Sequence, residues 1–258
     1  MNSTSVCINA CDRPGPLWKL MNSLANQSTF DFEVVVVDDG TTDSREDERV
    51  VRAVNILNAV GVSVNYVKNS TQLGLARSRN IARDVARSDV IIKIDDDHYC
   101  DSDFVRQLTN SFSGRPKAGC IGSLFPLVQD GIGIPEHCPQ RFGVLTDKWE
   151  NQQLCLYAAD SPTIVPADTV RGIMAYRRVP TIRHDERLSK ISHREDTIFS
   201  IQYLRDGYSN FVNTRAIAYH LYAKKGGCRS FGAEEAAKQR AADERIYRAF
   251  LEVQPIVH

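Results

Sequence analysis

Three consecutive carboxylates, Asp95, Asp96 and Asp97, follow the run Val90-Ile91-Ile92-Lys93-Ile94 without a break. Like charges this close repel, so the cluster is costly unless a cation or hydrogen-bond donors neutralise it. A hard divalent ion with oxygen ligands would do so, keeping waters or substrate phosphates in its shell. Strand alternation predicts Asp95 and Asp97 on one side and Asp96 on the other. Lys93 shares the parity of Asp95 and Asp97 and is placed to offset their repulsion. The structural alternative is a solvated turn that caps a helix after Asp101 or Asp103. A second carboxylate pair, Asp38-Asp39, ends the run Phe32–Val37. A carboxylate there can accept hydrogen bonds from a base N–H or a ribose hydroxyl, although Asp-Asp-Gly is also a common turn.

Further candidates lie along the chain. Glu195 and Asp196 begin a helical pattern, where they either complement the helix dipole or supply a general base. His220 ends an apolar strand and matters chemically only if it reaches Asp97. Arg77, Arg79 and Asn80 fall in the first turns of a helix, a place suited to phosphate, with Arg77 and Arg83 read as a solvated face. Arg13, after the first strand, has the same double reading. Lys224, Lys225 and Arg229 make a basic, glycine-containing loop, either a lid over a diphosphate or a mobile connector.

The elements that must position these residues follow from periodicity. Residues 4–9, 32–37, 62–67 and 90–95 read as strands. Between them lie helices opened by Pro14 and Pro16, capped by Thr41, Thr42 or Asp43, and begun after Gly74. This β-α-β-α-β-α-β order predicts a parallel sheet with helices on both faces, whose strand tips form a ligand-binding edge. The second half is less regular. Helices are expected at 101–112, 195–205 and 233–251, and strands at 118–125, 169–176 and 211–219. Pro126–Pro166 has little periodicity and reads as a long functional loop region. One domain over 1–258, in two halves, 1–100 and 101–258, is expected.

Composition excludes several classes. Charges balance at 32 against 32 and 42% of residues are hydrophobic, which argues against nucleic acid as a partner. No apolar run approaches the ~20 residues needed to span a bilayer. No signal peptide is read at the N-terminus, and seven cysteines without a Cys-x-x-Cys suggest free thiols, so a cytoplasmic location is expected. The mixed charge of the last helix leaves core packing, subunit pairing and peripheral membrane contact open. The P-loop, dinucleotide, zincin and Gly-x-Ser-x-Gly hydrolase motifs are absent.

The ordered set Asp12-Arg13-Pro14, Val35–Gly40, Leu73–Asn80, Ile94–Asp97, Gly172–Arg178, Glu195-Asp196-Thr197, Gly207-Tyr208 and Ala218-Tyr219-His220 resembles the family-two glycosyltransferases, which have the GT-A fold. The resemblance implies a metal-dependent, inverting transfer of sugar from a nucleotide-diphosphate donor, a UDP-sugar, to a hydroxyl acceptor on a glycan or other small or lipid-linked molecule. It implies that Asp39 holds the base or ribose with support from Arg79, and that Asp95 holds the donor's ribose or sugar. Ala10, Arg13, Asp96 and Lys225 complete the nucleotide-sugar set. Asp97 would ligate Mn2+ or Mg2+ and His220 would complete the metal shell, a nitrogen ligand favouring Mn2+. Asp196 would be the general base and Glu195 would bind the acceptor. Cys11 and Asp12 replace the family's usual aromatic-Asn pair, and Arg194 stands where Gly is common. Two other readings are a nucleotidyltransferase making nucleotide-sugars, which lacks its glycine-rich loop here, and a non-catalytic sugar- or nucleotide-binding module.

Overall fold

The computed structural model describes residues 4–127, 145–146, 149–150, 164–223, 225–227 and 231–253. Its first half follows the expected alternation. Strands β1 (Thr4–Ala10), β2 (Phe32–Asp38), β3 (Val64–Lys68) and β4 (Val90–Asp95) are parallel, in the order β3-β2-β1-β4. Helices α1 (Pro14–Leu24), α2 (Glu48–Ala59) and α3 (Leu75–Val85) make the crossovers. Every residue of β1 and β2 is buried, so both faces of these strands are covered, and continuous apolar runs replace alternation. Val34, Val35, Val36 and Val37 are all fully buried, each contributing up to ~1.5–3 kcal/mol.

The second half adds β5 (His98–Cys100), α4 (Phe104–Asn110), β6 (Ala118–Leu124), β7 (Leu145–Thr146), β8 (Trp149–Glu150), β9 (Ile164–Ala167), β10 (Met174–Arg177), α5 (Glu195–Arg205), β11 (Ser209–His220) and α6 (Ala233–Val253). β10 inserts antiparallel between β4 and β6, and β11 runs parallel to β6. β5 and β9 both pair antiparallel with β11. The main core runs through both halves, and a smaller one, with Leu188, Ile198, Ile201 and Tyr247, joins α5 to α6. Among the described residues no helix is long and apolar enough to cross a membrane.

Several boundaries differ from those expected. α2 is capped by Asp47, whose carboxylate accepts from Arg49 N at 2.9 Å, while Asp43 caps a short 3-10 turn over Ser44–Glu46. The strand expected at 169–176 begins only at Met174. Upstream of it the Val170 and Gly172 amides donate to side chains of α5, Ser200 and Asp196, instead of to a ladder. α4 is shorter than expected, and its Val105 amide is capped by Gln27 from a distant loop. Arg83 is not solvated: it is buried, donating to Val179 O at 2.7 Å and meeting Asp84. Most of Pro126–Pro166 lies outside the described residues, as do Lys224 and Arg229.

Candidate active site

The sheet register brings the acidic strand tips together. β1 lies between β2 and β4, with Ala10 opposite Asp38 and Asn9 opposite Asp95. Both carboxylate-bearing tips therefore share the C-terminal edge, the position where open α/β sheets bind ligands. A cleft opens there, lined by Ala10, Cys11, Arg13, Asp39 and Asp95. Residues 1–100 do not build it alone, because Lys190, Ile191, Gly227 and Phe231 line its other side.

Each tip carboxylate has a distinct set of partners. Asp38 is fully buried and accepts from Gly40 N, Ser44 N and Tyr66 Oη at 2.7–2.9 Å, so its work is structural. Asp39 borders the cleft and accepts from Asn69 Nδ2, Leu73 N and Gly74 N at 2.7–2.8 Å, which fixes the entry to α3. Asp95 is about one-third exposed and meets Arg79 Nη2 at 2.9 Å.

The expected alternation of Asp95, Asp96 and Asp97 does not hold. β4 ends at Asp95, and Asp96-Asp97 form the turn into β5. Asp96 and Asp97 are consequently grouped on Arg13, whose Nη2 lies 2.5 Å from Asp96 and Nη1 2.6 Å from Asp97. Nor is the cluster a solvated turn, since Asp96 and Asp97 are both buried. Asp96 also accepts from Cys11 N at 3.1 Å. Full burial pushes its carboxyl up to about 7 against the pull of Arg13. With no exposed surface and with Arg13 and Cys11 N as partners, Asp96 braces the turn. Burial would also raise Asp97, but the His220 hydrogen bond and the Arg13 charge outweigh it and hold the carboxyl below its usual range.

His220 does reach Asp97, with Nε2 3.3 Å from Oδ2. His98 stacks on His220 at 4.7 Å between ring centroids and holds Asp95 O at 3.1 Å through Nδ1. Ligand atoms of Asp97, His98 and His220 all lie within 4.8 Å of one another. One carboxylate with two imidazoles suits a borderline divalent transition metal better than an all-oxygen shell would. His98 had no role in the sequence reading, although it directly follows the three aspartates.

A buried charge network lies behind Asp95. Glu195, at the start of α5, forms ion pairs with Arg79 and with Lys93 Nζ (3.1 Å), and its carboxylate lies 2.7 Å from His184 Nδ1. Arg79 bridges it to Asp95. Asp95 and Glu195 are matched by Arg79 and Lys93, although burial and the Arg79 charge lower the Lys93 ammonium from its usual value. His184 stacks on Phe199 at 4.0 Å, and burial pushes its imidazole down to about 4. Burial would raise Glu195, but Arg79, Lys93 and His184 hold it low. Lys93 therefore compensates Glu195 instead of the aspartates beyond it. Glu195 is 4% exposed, and its described partners are Arg79, Lys93 and His184. Arg79, likewise buried, ties Asp95 to Glu195 and does not border the cleft directly.

Asp196, the next residue, is half-buried. Its Oδ2 accepts from Gly172 N at 2.7 Å and its Oδ1 from Thr197 N at 2.8 Å. Thr197 Oγ1 also reaches Oδ1, at 3.5 Å; each carboxylate oxygen has two lone pairs, so Oδ2 keeps acceptor capacity. Lys225 is exposed; of its loop, Gly227 lines the cleft, with its amide donating to Cys11 O at 2.9 Å. Gly226 adopts φ +78, and a Cβ there would stand 2.3 Å from Arg13 Cγ, so the loop packs directly on the arginine. Among positions the sequence left without a role, Lys190, Ile191 and Phe231 carry no motif; only the fold places them.

Comparison with known proteins agrees with this architecture. The family model described as glycosyl transferase family 2 matches residues 5–181. An uncharacterized glycosyltransferase of Haemophilus influenzae is 30% identical over 93 residues, 36% of this chain and 29% of that protein's length. The S. aureus TarS 1-349 crystal structure superposes with a TM-score of 0.61 at 17% identity, covering 98% of this chain and 73% of that one. Its complex with UDP-GlcNAc gives 0.64 at 18% identity, covering 96% and 71%. GalNAc-T7, solved with UDP, GalNAc and Mn2+, gives 0.66 at 17% identity, covering 86% and 44%. The family match ends before Glu195 and Asp196, so their roles rest on geometry. The matched segment covers well over half of the residues, and the chain belongs to glycosyl transferase family 2, with the GT-A fold.

Proposed function

We propose that the protein transfers a sugar from a UDP-sugar to a hydroxyl acceptor with inversion at the anomeric carbon. The observation that carries this reading is the convergence of Asp39, Asp95 and Arg13 on one cleft at the sheet edge, in a member of this family. TarS and GalNAc-T7, solved with UDP-GlcNAc and with UDP, support the donor class. Asp39 and Ala10 border the base and ribose end, and Asp95 faces the sugar or ribose. Lys225 and the glycines after it cover the diphosphate end.

Asp97, His98 and His220 would hold a divalent ion, for which their mixed oxygen and nitrogen set favours Mn2+ over Mg2+. Bound there, such an ion would neutralise the charge that develops on the departing diphosphate. Asp196 takes the proton of the acceptor hydroxyl as its oxygen attacks, a contribution of ~10²–10⁴-fold. Gly172 N and Thr197 N keep that carboxylate oriented, and Glu195 fixes the start of α5 from below. We further propose that residues 1–100 supply most of the donor site and 101–258 the base and acceptor side of one domain.

Release of UDP from a panel of UDP-sugars with Mn2+, measured with and without acceptor, tests the reading. Asp196→Asn is expected to lower transfer at least ~10²-fold while UDP affinity stays within about twofold of wild type. Full activity in that variant would remove the assignment of the base. Sugar transfer without any dependence on a divalent ion would remove the metal from the site.

A further inference from the structure

We propose that Asp243, on the C-terminal helix, is a positioning residue for this site: it fixes the backbone of 189–193 and thereby both the far wall of the cleft and the start of α5. The inference rests on the donor-site reading above for its functional consequence, and on geometry alone for its structural part.

Asp243 has no exposed surface, an unusual place for a carboxylate on an otherwise charged helix. Its Oδ1 accepts from Ser189 N, and its Oδ2 from Ser189 Oγ and His193 N, all at 2.7 Å. One turn earlier, Gln239 Oε1 accepts from Ile191 N at 3.2 Å, and Glu244 Oε2 meets Arg194 Nε at 3.1 Å. α6 thus supplies acceptors to the main chain of 189, 191 and 193.

That segment is one the local sequence would not hold by itself. Ser192 and Arg194 both have left-handed φ, +53° and +71°, with no glycine between them. Each such residue costs of order 1–3 kcal/mol and persists only where the surroundings over-determine it. The same segment does the work of the site. Lys190 and Ile191 line the cleft. Lys190 O accepts from Leu75 N, and Ser192 Oγ accepts from Ala76 N, which docks the segment on the first turn of α3. Glu195 and Asp196 follow directly, and Glu195 N donates to Ser192 O. A carboxylate outside the cleft therefore sets both one wall of the cleft and the helix start that follows it in the chain.

The test compares wild type with Asp243→Asn, Ser189→Ala and Gln239→Ala, at temperatures where circular dichroism shows each fully folded. Hydrogen exchange of the 189–193 amides and UDP affinity with Mn2+ are read in parallel. Asp243→Asn is expected to speed exchange at Ser189 and His193 and weaken UDP on the order of tenfold, the scale of one lost charge-assisted hydrogen bond. Ser189→Ala and Gln239→Ala are expected to give smaller effects in the same direction. Should Asp243→Asn fail to fold, those two variants decide, because they leave the buried carboxylate in place. Unchanged exchange and unchanged UDP affinity across the folded variants would overturn the proposal. Faster exchange with unchanged affinity would overturn its functional half. If wild type itself binds no UDP, the donor reading fails, and exchange at Ser189 and His193 still decides whether Asp243 holds the segment.

Discussion

Glu195 shows how one residue's burial decides its chemistry. A carboxylate with 4% exposure and three basic partners is committed to the interior, whereas its neighbour Asp196 is half-buried and keeps acceptor capacity on Oδ2. The cost of burying Glu195 is offset by Arg79 and Lys93 and by a neutral His184 beside it. Protonating that His would put a third cation in a group that already balances. Its imidazole, pushed by burial from 6.5 to about 4, binds its proton more readily in the unfolded chain. Stability is therefore complete above pH ~6.5 and is lost as pH falls toward 4, by up to about 3 kcal/mol. Glu195, held low in the fold, loses stability in the same direction at still lower pH. Thermal melts between pH 7 and pH 5 should show a falling Tm in wild type. The fall should shrink in His184→Asn, which cannot titrate; an equal slope in both would assign the pH dependence elsewhere.

At the scale of elements, the site depends on how the entry to α3 meets the segment before α5. Gly74 is the hinge of that meeting: its φ is +94°, its amide donates to Asp39, and a Cβ on it would sit 2.8 Å from Lys190 Cα. Gly74→Ala must strain the backbone and push the 190 segment away at once. A compatible Gly→Ala change stabilises by up to ~1 kcal/mol, whereas at this positive φ the change is expected to lower stability by more than that and to weaken UDP binding severalfold. Calorimetry and melting measure the two, and a Gly74→Ala protein matching wild type in both would show that the contact relaxes freely. The same elements show what could be read in advance. The strand tips Asp38-Asp39 and Asp95 were legible because apolar runs ending in carboxylates fix both strand and edge. α5 was legible to the residue. The turn at Asp96-Asp97 was not, since nothing local says that β4 stops at Asp95; β5 pairs with β11, more than a hundred residues away. Asp243 was hidden for the same reason: on a helix of mixed charge, only tertiary packing marks one carboxylate as buried. His184 and Lys190 likewise acquire partners only through long-range contacts.

Across the whole molecule, charge is balanced, 32 against 32, and the acidic edge repeats that balance locally. Arg13 bridges Asp96 and Asp97, while Arg79 and Lys93 offset Asp95 and Glu195. The fold thus carries counterions of its own at this edge. Two consequences separate the ion's part in folding from its part in the proposed reaction. Stripping divalent ions from wild type with a chelator should lower Tm only by the few degrees that mass action gives, while UDP affinity falls. Arg13→Gln, by contrast, leaves Asp97 without its guanidinium and Asp96 without a charge partner. Breaking a buried pair from one side costs roughly 3–5 kcal/mol, and in a chain of this size about 2–4 °C of Tm goes with each kcal/mol. In that variant Mn2+ should raise Tm in proportion to the logarithm of its concentration, because an ion that binds only the folded state stabilises it by mass action. Melts of both proteins, with chelator and across a Mn2+ series, check this directly. A wild type that loses many degrees in chelator would mean that the ion, and not Arg13, holds the acidic turn together.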